Sequence, residues 1–266
     1  MKAMILAAGL GTRLRPLTTN RPKALVEISG RTLLEVTLSR LRSFGVSEVI
    51  INVHHFADMV VDYLQKNKNF GMRIEISRED VLLDTGGGLK KAAWFFLEDP
   101  SRLDEPFLLH NVDVLSTIDL ARMLQFHTEH RAIATLAVQS RESSRLLLFD
   151  EHLQLRGRAP EQSEAIPNST RLLLSSPAIP SKARDLLLSQ TFQALAFSGI
   201  HILSPRLLPM LTEESIFSII DSYLRLAAQS QKILAFRADQ YYWRDLGKPA
   251  DLSQAAHDFL QNKIGQ

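Results

Sequence analysis

Residues 4–16 read MILAAGLGTRLRP, an apolar stretch that runs into a glycine-rich loop. The apolar part, residues 4–6, is typical of a short buried strand. A loop that leaves such a strand exposes backbone N–H groups, which together form a concavity for phosphate. The first 31 residues also contain six lysines or arginines and a single acid, Glu27. This segment is therefore predicted to bind a phosphate group.

Three cations near the loop, Arg13, Arg15 and Lys23, can pair with the same anion. The loop differs from a dinucleotide-binding fingerprint, because Leu14 stands where the third glycine is needed and prolines interrupt the segment that would form the helix. It also lacks the Gly-Lys-Ser/Thr of a Walker loop. A long loop with cations suits a triphosphate, and the alternative is a glycine-rich connector with solvated arginines.

The composition excludes several classes of protein. A chain of 266 residues with 45% hydrophobic and 23% charged residues can form one large or two small globular domains. The net charge of +2 does not favour nonspecific binding of nucleic acid. The absence of cysteine excludes disulfides, cysteine-ligated zinc, iron–sulfur clusters and thiol nucleophiles. Without a leader peptide or an apolar run of roughly 18 residues, we expect a cytoplasmic protein that does not enter a membrane.

Strands and helices alternate along the first half, which favours an α/β fold. The nearly continuous apolar strand at 49–53 indicates a parallel sheet covered on both faces. The elements predicted up to residue 138 are a helix over 33–43 that ends at Gly45, the strand at 49–53, a helix over 56–66, a strand at 72–77, a helix over 89–97, a strand at 107–110, a helix over 119–129 and a strand at 132–138. The second half is predicted to contain strands at 146–149, 197–202, 233–237 and 241–243, an irregular segment at 157–190, and helices over 217–228 and after Pro249.

Two short segments suggest ligand contacts. Gly86, Gly87 and Gly88 precede the predicted helix over 89–97 and allow a flat ligand such as a nucleobase to approach the backbone. The alternative is a flexible helix entry. Asp113 follows the carboxyl end of a buried strand, where α/β sheets bind ligands, and it is the first candidate metal ligand.

In their order, these motifs resemble the sugar-1-phosphate nucleotidyltransferases, also called pyrophosphorylases. The chain looks most like the short bacterial members that act on N-acetylmuramate-1-phosphate with UTP, or on mannose-1-phosphate with GTP. The matching segments are Leu6 to Pro16, Pro22-Lys23, Thr85-Gly86-Gly87, Asn111-Val112-Asp113, Phe197-Ser198-Gly199-Ile200 and Trp243-Arg244-Asp245-Leu246-Gly247.

The resemblance implies a Rossmann-like three-layer α/β sandwich with a mostly parallel central sheet. It also implies a single domain over residues 1–266, with a nucleotide-binding half at 1–140 and a sugar-binding half with the C-terminal helix at 141–266. The expected partners are a nucleoside triphosphate and a sugar-1-phosphate, with no nucleic acid and no membrane. The family includes monomers, dimers and tetramers, so a homo-oligomer stays open.

The same resemblance assigns roles to individual residues. Arg13 would hold the leaving pyrophosphate, Lys23 the α-phosphate or the attacking phosphate, and Asp113, the third catalytic residue, would share Mg²⁺ with Asp245. The expected nucleotide-binding residues are Ala8, Gly9, Gly11, Thr12, Arg13, Lys23, Thr85, Gly86, Gly87 and Asn111. The expected sugar-binding residues are Arg156, Ser198 and Gly199.

Three positions depart from the family pattern, and they concern mainly the sugar side. Val112 stands where many members have glycine, and the Glu-Lys-Pro element that supplies a lysine to the sugar phosphate is absent. Arg156 or Arg158 would have to replace that lysine, although arginine and lysine are not interchangeable. Ser218 stands where some short members have a lysine.

Several alternatives stay open. Asp84 either touches the ligand or caps the following helix, and Asp245 either holds the metal or precedes the last helix as an N-terminal acid. The pair His127 and His130 shares a helix face, but no third ligand with suitable spacing accompanies it. Besides an active sugar-1-phosphate nucleotidyltransferase, two functions remain: a nucleotide-binding regulatory protein without turnover, and a cytidylyltransferase that holds an alcohol phosphate such as choline phosphate with the aromatic residues at 241–243.

Overall fold

A computed structural model describes residues 1–159 and 192–261 of the chain. The strands are β1 Lys2–Leu6, β2 Glu27–Ile28, β3 Arg31–Thr32, β4 Glu48–Val53, β5 Arg73–Arg78, β6 Phe107–Asn111, β7 Val114–Ser116, β8 Ala134–Gln139, β9 Leu146–Phe149, β10 Leu155–Arg158, β11 Gln193–Leu203, β12 Ile233–Arg237 and β13 Trp243–Asp245. The helices are α1 Leu33–Ser43, α2 Ala57–Lys66, α3 Asp84–Lys91, α4 Ala93–Leu97, α5 Leu120–His130, α6 Ile219–Ala228 and α7 Pro249–Leu260.

A central sheet of nine strands organises the described residues. Its main order is β10-β9-β11-β6-β1-β4-β5, and β8 adds to β11 and pairs with β12. The pairs β1–β4, β1–β6, β4–β5 and β8–β12 are parallel, whereas β11 runs antiparallel to its three neighbours and β10 antiparallel to β9. All strands of this sheet except β10 and β11 therefore point in the same direction, and the prediction of a mostly parallel sheet is confirmed.

Helices cover both faces of this sheet. Along β1, Ala3 and Ile5 belong to one hydrophobic cluster and Met4 to the other, because successive side chains of a strand point to opposite faces. The first cluster contains buried residues of α1, α2, α5 and α7, and the second contains those of α3, α4 and α6. The predicted three-layer sandwich is confirmed.

The helix α1 illustrates how local sequence sets the boundaries of an element. The Thr32 side chain accepts a hydrogen bond of 3.1 Å from the Glu35 N–H and caps the first turn. At the other end Gly45 adopts a φ of 77°, and its N–H donates to the Arg42 carbonyl at 3.0 Å. The predicted helix over 33–43 and its end at Gly45 are both confirmed.

The structure differs from the sequence prediction in three places. Gly86, Gly87 and Gly88 lie inside α3 rather than before a helix, and the helical segment is interrupted at Ala92 instead of running from 89 to 97. Residues 155–158 form β10, so the irregular segment does not begin at 157, and its remainder, 160–190, lies outside the described residues. The strand predicted at 241–243 is β13 at 243–245.

Within 1–159 and 192–261, no helix has the length and apolar character needed to cross a membrane.

Three buried histidines make the stability of this core depend on pH. The pKa of His127 and His110 is lowered to about 4 and that of His201 to about 3, mainly by burial. A nearby charge contributes to each shift: Arg206 at His127, Arg40 at His110 and His110 at His201. In the unfolded chain a histidine takes up its proton near pH 6.5. The stability that the three neutral histidines contribute is therefore fully present above about pH 6.5, and it is lost progressively as the pH falls towards 4.

Replacing His127 with asparagine should weaken this pH dependence. Asparagine keeps a polar atom for the hydrogen bond of 2.9 Å that His127 Nδ1 makes with Thr135 Oγ1, but it does not titrate. We expect the loss of unfolding free energy between pH 7.5 and pH 5.5 to be about 1 kcal/mol smaller than in the wild type. Urea unfolding at both pH values measures this difference. His152→Asn, at a side chain 82% exposed, is the matched control and should leave the pH dependence unchanged. An unchanged pH dependence in His127→Asn would contradict the assignment.

Candidate active site

A cleft of about 350 Å³ opens at the carboxyl ends of the central parallel strands. Leu6 and Asn111 end β1 and β6, and Asn52 is the last residue but one of β4. The three are paired side by side in register, and all three line the cleft. Sheets of this kind bind ligands at this edge. The complete lining consists of Leu6, Ala7, Ala8, Gly9, Lys23, Asn52, Glu79, Leu82, Asp84, Thr85, Asn111, Val112, Asp113 and Ile216.

The glycine-rich loop borders this cleft and then folds back on itself. Gly11 has a φ of 63°, and a Cβ at this position would lie 3.0 Å from both Lys23 Cβ and Thr18 Cγ2, so only glycine fits. The Thr18 hydroxyl donates to the Gly11 carbonyl at 2.8 Å. A single 3₁₀ turn, Thr12–Leu14, follows instead of a long helix, and buried Leu14 anchors it. The loop therefore differs from a dinucleotide-binding turn.

Lys23 and Asp113 form an ion pair at the floor of the cleft. Lys23 is only 8% exposed, because it lies in a 3₁₀ turn at Lys23–Leu25 behind the loop. Its Nζ contacts Asp113 Oδ2, so the cation and the carboxylate meet where β6 ends. The structure brings together two residues that sequence analysis had proposed on separate grounds.

Asp245 joins this pair from the far end of the chain. The antiparallel pairing of β13 with β7 sets Asp245 opposite Val114, and the Leu246 N–H donates to the Asp113 carbonyl at 2.8 Å. Asp245 Oδ1 accepts a hydrogen bond of 2.6 Å from the Gly247 N–H. The ladder between two short strands therefore places both predicted metal ligands beside one another.

The two carboxylates fit a hard divalent cation. Burial, and then the charge of Asp113, raise the pKa of Asp245, as expected for acids that face each other. In the part of the chain that the structure describes, no group of three or more His, Asp or Glu side chains is placed to hold a metal ion. A cation held by Asp113 and Asp245 would take its other ligands from substrate phosphate and water, which is how proteins usually bind Mg²⁺.

Arg13 approaches the same acids from the solvent side. A Cβ at Gly247 would lie 2.9 Å from Arg13 Nη2 and 2.5 Å from Asp245 Oδ1, so the missing side chain at 247 makes room for both groups. Arg13 is exposed, and its positive charge counteracts the rise in the pKa of Asp245. A guanidinium in this position is available to an anion that enters the cleft.

A polar network that sequence analysis missed closes the opposite side of the cleft. Asn52 Oδ1 accepts from the Ala7 N–H at 2.7 Å, and Asn52 Nδ2 donates to Glu79 Oε1 at 2.7 Å. Glu79 Oε2 accepts from the Leu83 N–H at 2.9 Å. This network fixes the start of the glycine-rich loop relative to the segment before α3. The available signal was Asn52 itself, a polar residue in an otherwise apolar strand.

The glycines of α3 do not line the cleft. The N–H groups of Gly86 and Gly87 donate to the Phe217 carbonyl at 3.0 and 3.3 Å. Thr85 lines the cleft, and its hydroxyl also accepts from the Ile219 N–H at 3.0 Å. The helix start is therefore tied to the segment before α6, and the surface offered to a ligand is formed by Asp84 and Thr85.

Comparison with known proteins identifies the family. Residues 2–146, from β1 to the first residue of β9, match the family model described as nucleotidyl transferase. The chain belongs to the nucleotidyl transferase family. The resemblance inferred from its motifs is confirmed.

Curated relatives of this chain carry names with different substrates. The chain is 50% identical over 101 residues to the N-acetylmuramate alpha-1-phosphate uridylyltransferase of Caulobacter vibrioides, an alignment that covers 37% of the chain and 42% of the relative. It is 28% identical over 270 residues to the mannose-1-phosphate guanyltransferase beta-B of Xenopus laevis, which covers 98% of the chain and 65% of the relative. The chain thus spans less than two thirds of the length of these relatives.

Solved structures share the fold of the whole chain. HddC of Yersinia pseudotuberculosis, solved in complex with GMP-PN, superposes with a TM-score of 0.71 at 21% identity and covers 97% of this chain and 99% of its own. A UDP-glucose pyrophosphorylase complexed with UDP-glucose superposes with a TM-score of 0.74 at 17% identity, covering 98% of each chain. At these identities the likeness shows the fold alone.

The site residues predicted from the sequence fall into three groups. Those in the cleft are Ala8, Gly9, Lys23, Thr85, Asn111 and Asp113. Those beside it are Gly11, Thr12 and Arg13 in the loop, Asp245 next to Asp113, and Gly199, whose Cβ position lies 2.9 Å from Asn111 Nδ2. The remaining residues make other contacts. The N–H groups of Gly86 and Gly87 donate to the Phe217 carbonyl, and the Ser198 carbonyl accepts from Trp243 Nε1. Arg156 forms an ion pair with Asp150.

Arg156 differs most from the sequence expectation, whereas the contacts of the histidine pair agree with it. Arg156 Nε donates to Asp150 Oδ2 at 2.7 Å in the turn between β9 and β10, and it is not among the residues that line the cleft. His127 bonds to Thr135, while His130 Nδ1 donates to the Phe126 carbonyl at 2.9 Å. The two histidines stabilise α5 and its packing, and they are not placed as a metal site.

Proposed function

We propose that this protein transfers a nucleotidyl group from a nucleoside triphosphate to a sugar-1-phosphate. An oxygen of the sugar phosphate forms a bond to the α-phosphorus, the bond from the α-phosphorus to the bridging oxygen of the β-phosphate breaks, and pyrophosphate leaves with that electron pair. Little covalent work is required of the protein, so positioning and charge stabilisation supply the catalysis.

One observation carries the proposal: the loop Ala8–Gly9, the cation Lys23 and the acids Asp113 and Asp245 meet at one edge of the sheet. The loop supplies backbone N–H groups to the triphosphate, and exposed Arg13 pairs with the pyrophosphate that departs. Lys23 holds the α-phosphate or the attacking phosphate. Asp113 and Asp245 would hold Mg²⁺, which neutralises phosphate charge when it is bound.

The base lies, in this proposal, towards Asp84 and Thr85. These residues and the apolar side chain of Ile216 line that end of the cleft. The N–H groups of Gly86 and Gly87 are already bonded to Phe217, so contact with the base would occur through the α3 start rather than through those N–H groups.

UTP with N-acetylmuramate-1-phosphate is the first substrate pair to test, because the Caulobacter relative of that name is 50% identical where it aligns. GTP with mannose-1-phosphate is the second, because the Xenopus relative of that name aligns over 98% of the chain. Both pairs use the same phosphates and metal, and they differ only at the two ends of the cleft.

The experiment is pyrophosphate release in the presence of Mg²⁺, with four nucleoside triphosphates crossed against N-acetylmuramate-1-phosphate, mannose-1-phosphate, glucose-1-phosphate and choline phosphate. We expect release that requires both substrates and Mg²⁺, with UTP and N-acetylmuramate-1-phosphate as the fastest pair. Release with CTP and choline phosphate would instead support a cytidylyltransferase. Nucleotide binding without release in every combination would support a regulatory protein and contradict the proposal.

A further inference from the structure

A half-buried arginine outside the sequence-predicted site lies next to Asp245. Arg141 follows the carboxyl end of β8, and its guanidinium carbon lies 3.7 Å from the centroid of the Trp243 ring. Trp243 and Asp245 are two residues apart on β13, so both side chains project from the same face of that strand. The stacked guanidinium is therefore on the face of β13 from which the Asp245 carboxylate projects.

Two consecutive carbonyls of β11 hold this stack in place. Arg141 Nη2 donates to the Phe197 carbonyl at 2.7 Å, and Trp243 Nε1 donates to the Ser198 carbonyl at 2.7 Å. The pairing of β11 with β8 shifts register between Phe197 and His201, and Gly199 has a φ of 73° within that irregularity. Bulges of this kind redirect groups in a strand, and here both carbonyls receive donors from the stacked pair.

Arg141 lacks an anionic partner among the described residues. Its Nε is buried without a hydrogen bond, and no carboxylate lies within ion-pair distance of its guanidinium. The nearest oxygen that it binds is a neutral carbonyl. Burial lowers the pKa of Arg141, and the charge of Asp245 opposes that effect. A guanidinium that is partly desolvated and unpaired in this way gains substantially from a bound anion.

The Ser198 hydroxyl, like Arg141 Nε, is buried without a hydrogen bond. Ser198 is fully buried, and its Oγ also has no hydrogen-bond partner. Gly199, the next residue, lies against the Asn111 side chain at the edge of the cleft. Two buried polar groups without a hydrogen bond, Arg141 Nε and Ser198 Oγ, thus belong to residues that meet at the same short stretch of β11, next to Gly199.

We infer that Arg141 binds the phosphate of the acceptor sugar-1-phosphate. The inference rests on the proposed function. Arg13 serves the triphosphate from the loop side, and Lys23 is paired with Asp113. Arg141 is not among the residues that line the cleft, but it approaches Asp245 from the side of β8 and β11. Its planar guanidinium can donate two parallel hydrogen bonds to a phosphate, and the ring of Trp243 fixes the plane.

Arg141→Gln tests the inference by steady-state kinetics. We expect the KM for the sugar-1-phosphate to rise roughly 10- to 100-fold, the loss associated with one charge-assisted hydrogen bond, while the KM for the nucleoside triphosphate changes by less than about twofold. Arg141→Lys should recover only part of the loss, because lysine keeps the positive charge but lacks the two parallel N–H donors of the guanidinium. Arg145→Gln removes an exposed arginine of the same loop and should leave both KM values unchanged.

A rise confined to the KM of the nucleoside triphosphate would overturn the inference and assign Arg141 to the nucleotide phosphates. Unchanged KM values in Arg141→Gln would also overturn it, and the proposed function would stand. Retained nucleotide binding in the variant shows that the fold is intact.

A binding measurement separates this inference from the proposed function. Trp94 and Trp243 are the two tryptophans of the chain, so Trp94→Phe leaves Trp243 as the reporter of the stacked pair. Mannose-1-phosphate, N-acetylmuramate-1-phosphate and inorganic phosphate, added in turn, should change the emission of Trp243 at saturating concentration. Arg141→Gln should weaken the sugar-phosphate response by a similar factor. A response that depends on Arg141 supports the site even where turnover fails, and the same response in both proteins contradicts it.

Discussion

Replacing Asp113 with asparagine should lower the rate of pyrophosphate release about a thousandfold. Asparagine has nearly the same size as aspartate, but it lacks the negative charge that attracts both Lys23 and a divalent cation. The variant should bind the nucleoside triphosphate through the loop, because Ala8 and Gly9 are unchanged. The loss should therefore fall on turnover rather than on nucleotide binding.

The fold should survive this substitution for electrostatic reasons. Asp113 and Asp245 repel one another, which is part of the cause of the raised pKa of Asp245, so removing one charge relieves that repulsion. Lys23 loses its direct partner, yet it still interacts with the charge of Asp245. We expect the pKa of Asp245 to fall in the variant and the melting temperature to change little.

Initial rates, nucleotide affinity and the Mg²⁺ concentration for half-maximal rate measure this effect together. Asp104→Asn is the matched control, because Asp104 is exposed and its replacement should leave all three quantities unchanged. A rate in Asp113→Asn above a tenth of the wild-type rate would show that this carboxylate does not hold the metal, and it would move the metal site away from the end of β6.

Elements with a regular hydrophobic pattern could be predicted from the sequence. The helix over 33–43 has its apolar residues on one face and a glycine at its end, and the structure reproduces both boundaries. The strand at 49–53 is apolar except for Asn52, and it lies inside the sheet. In these segments local preference and tertiary packing favour the same structure.

The three glycines of α3 show why the remainder could not be predicted. Glycine disfavours a helix by about 1 kcal/mol relative to alanine, so three in a row indicate a loop. In the structure a Cβ at Gly88 would lie 2.8 Å from Asn52 Nδ2 and Glu79 Oε1. A Cβ at Gly86 would lie 2.3 Å from Phe217 Cε2, and one at Gly87 would lie 2.9 Å from the Ser215 carbonyl oxygen. Only a helix without side chains fits between these neighbours. The cause is a long-range contact, which a single sequence does not reveal.

The candidate site divides in the same way. Lys23 and Asp113 could be proposed because each sits next to a local signal, a glycine-rich loop or a strand end. The links between Asn52 and Glu79 and between Arg141 and Trp243 depend on which strands become neighbours. Apart from Asn52, a polar residue in an otherwise apolar strand, these residues have no feature in their own segment that indicates the distant partner.

Gly86→Ala should destabilise the folded protein by about 2 kcal/mol. The new methyl carbon would lie 2.3 and 2.4 Å from Phe217 Cε2 and Cδ2 and 2.9 Å from the Phe217 carbonyl oxygen. Overpacking of this kind costs about 3 kcal/mol, and the higher helix propensity of alanine offsets about 1 kcal/mol of that cost. The chain cannot separate freely at this point, because the Gly86 N–H donates to the same carbonyl at 3.0 Å. Urea unfolding and the melting temperature measure the loss.

A second substitution tests whether Phe217 is the cause. Phe217→Leu shortens the side chain, so Gly86→Ala should be less costly in a Phe217→Leu background, and the double-mutant cycle should give a coupling of about 1 kcal/mol or more. Gly9→Ala is the control, because nothing lies within 4 Å of a Cβ at that position, and its unfolding free energy should stay within about 0.5 kcal/mol of the wild type. Gly9 lines the cleft, so its variant should instead lose nucleotide affinity. If Gly86→Ala were as stable as Gly9→Ala, the close packing of α3 on Phe217 would be disproved, and with it the reason why three glycines form a helix here.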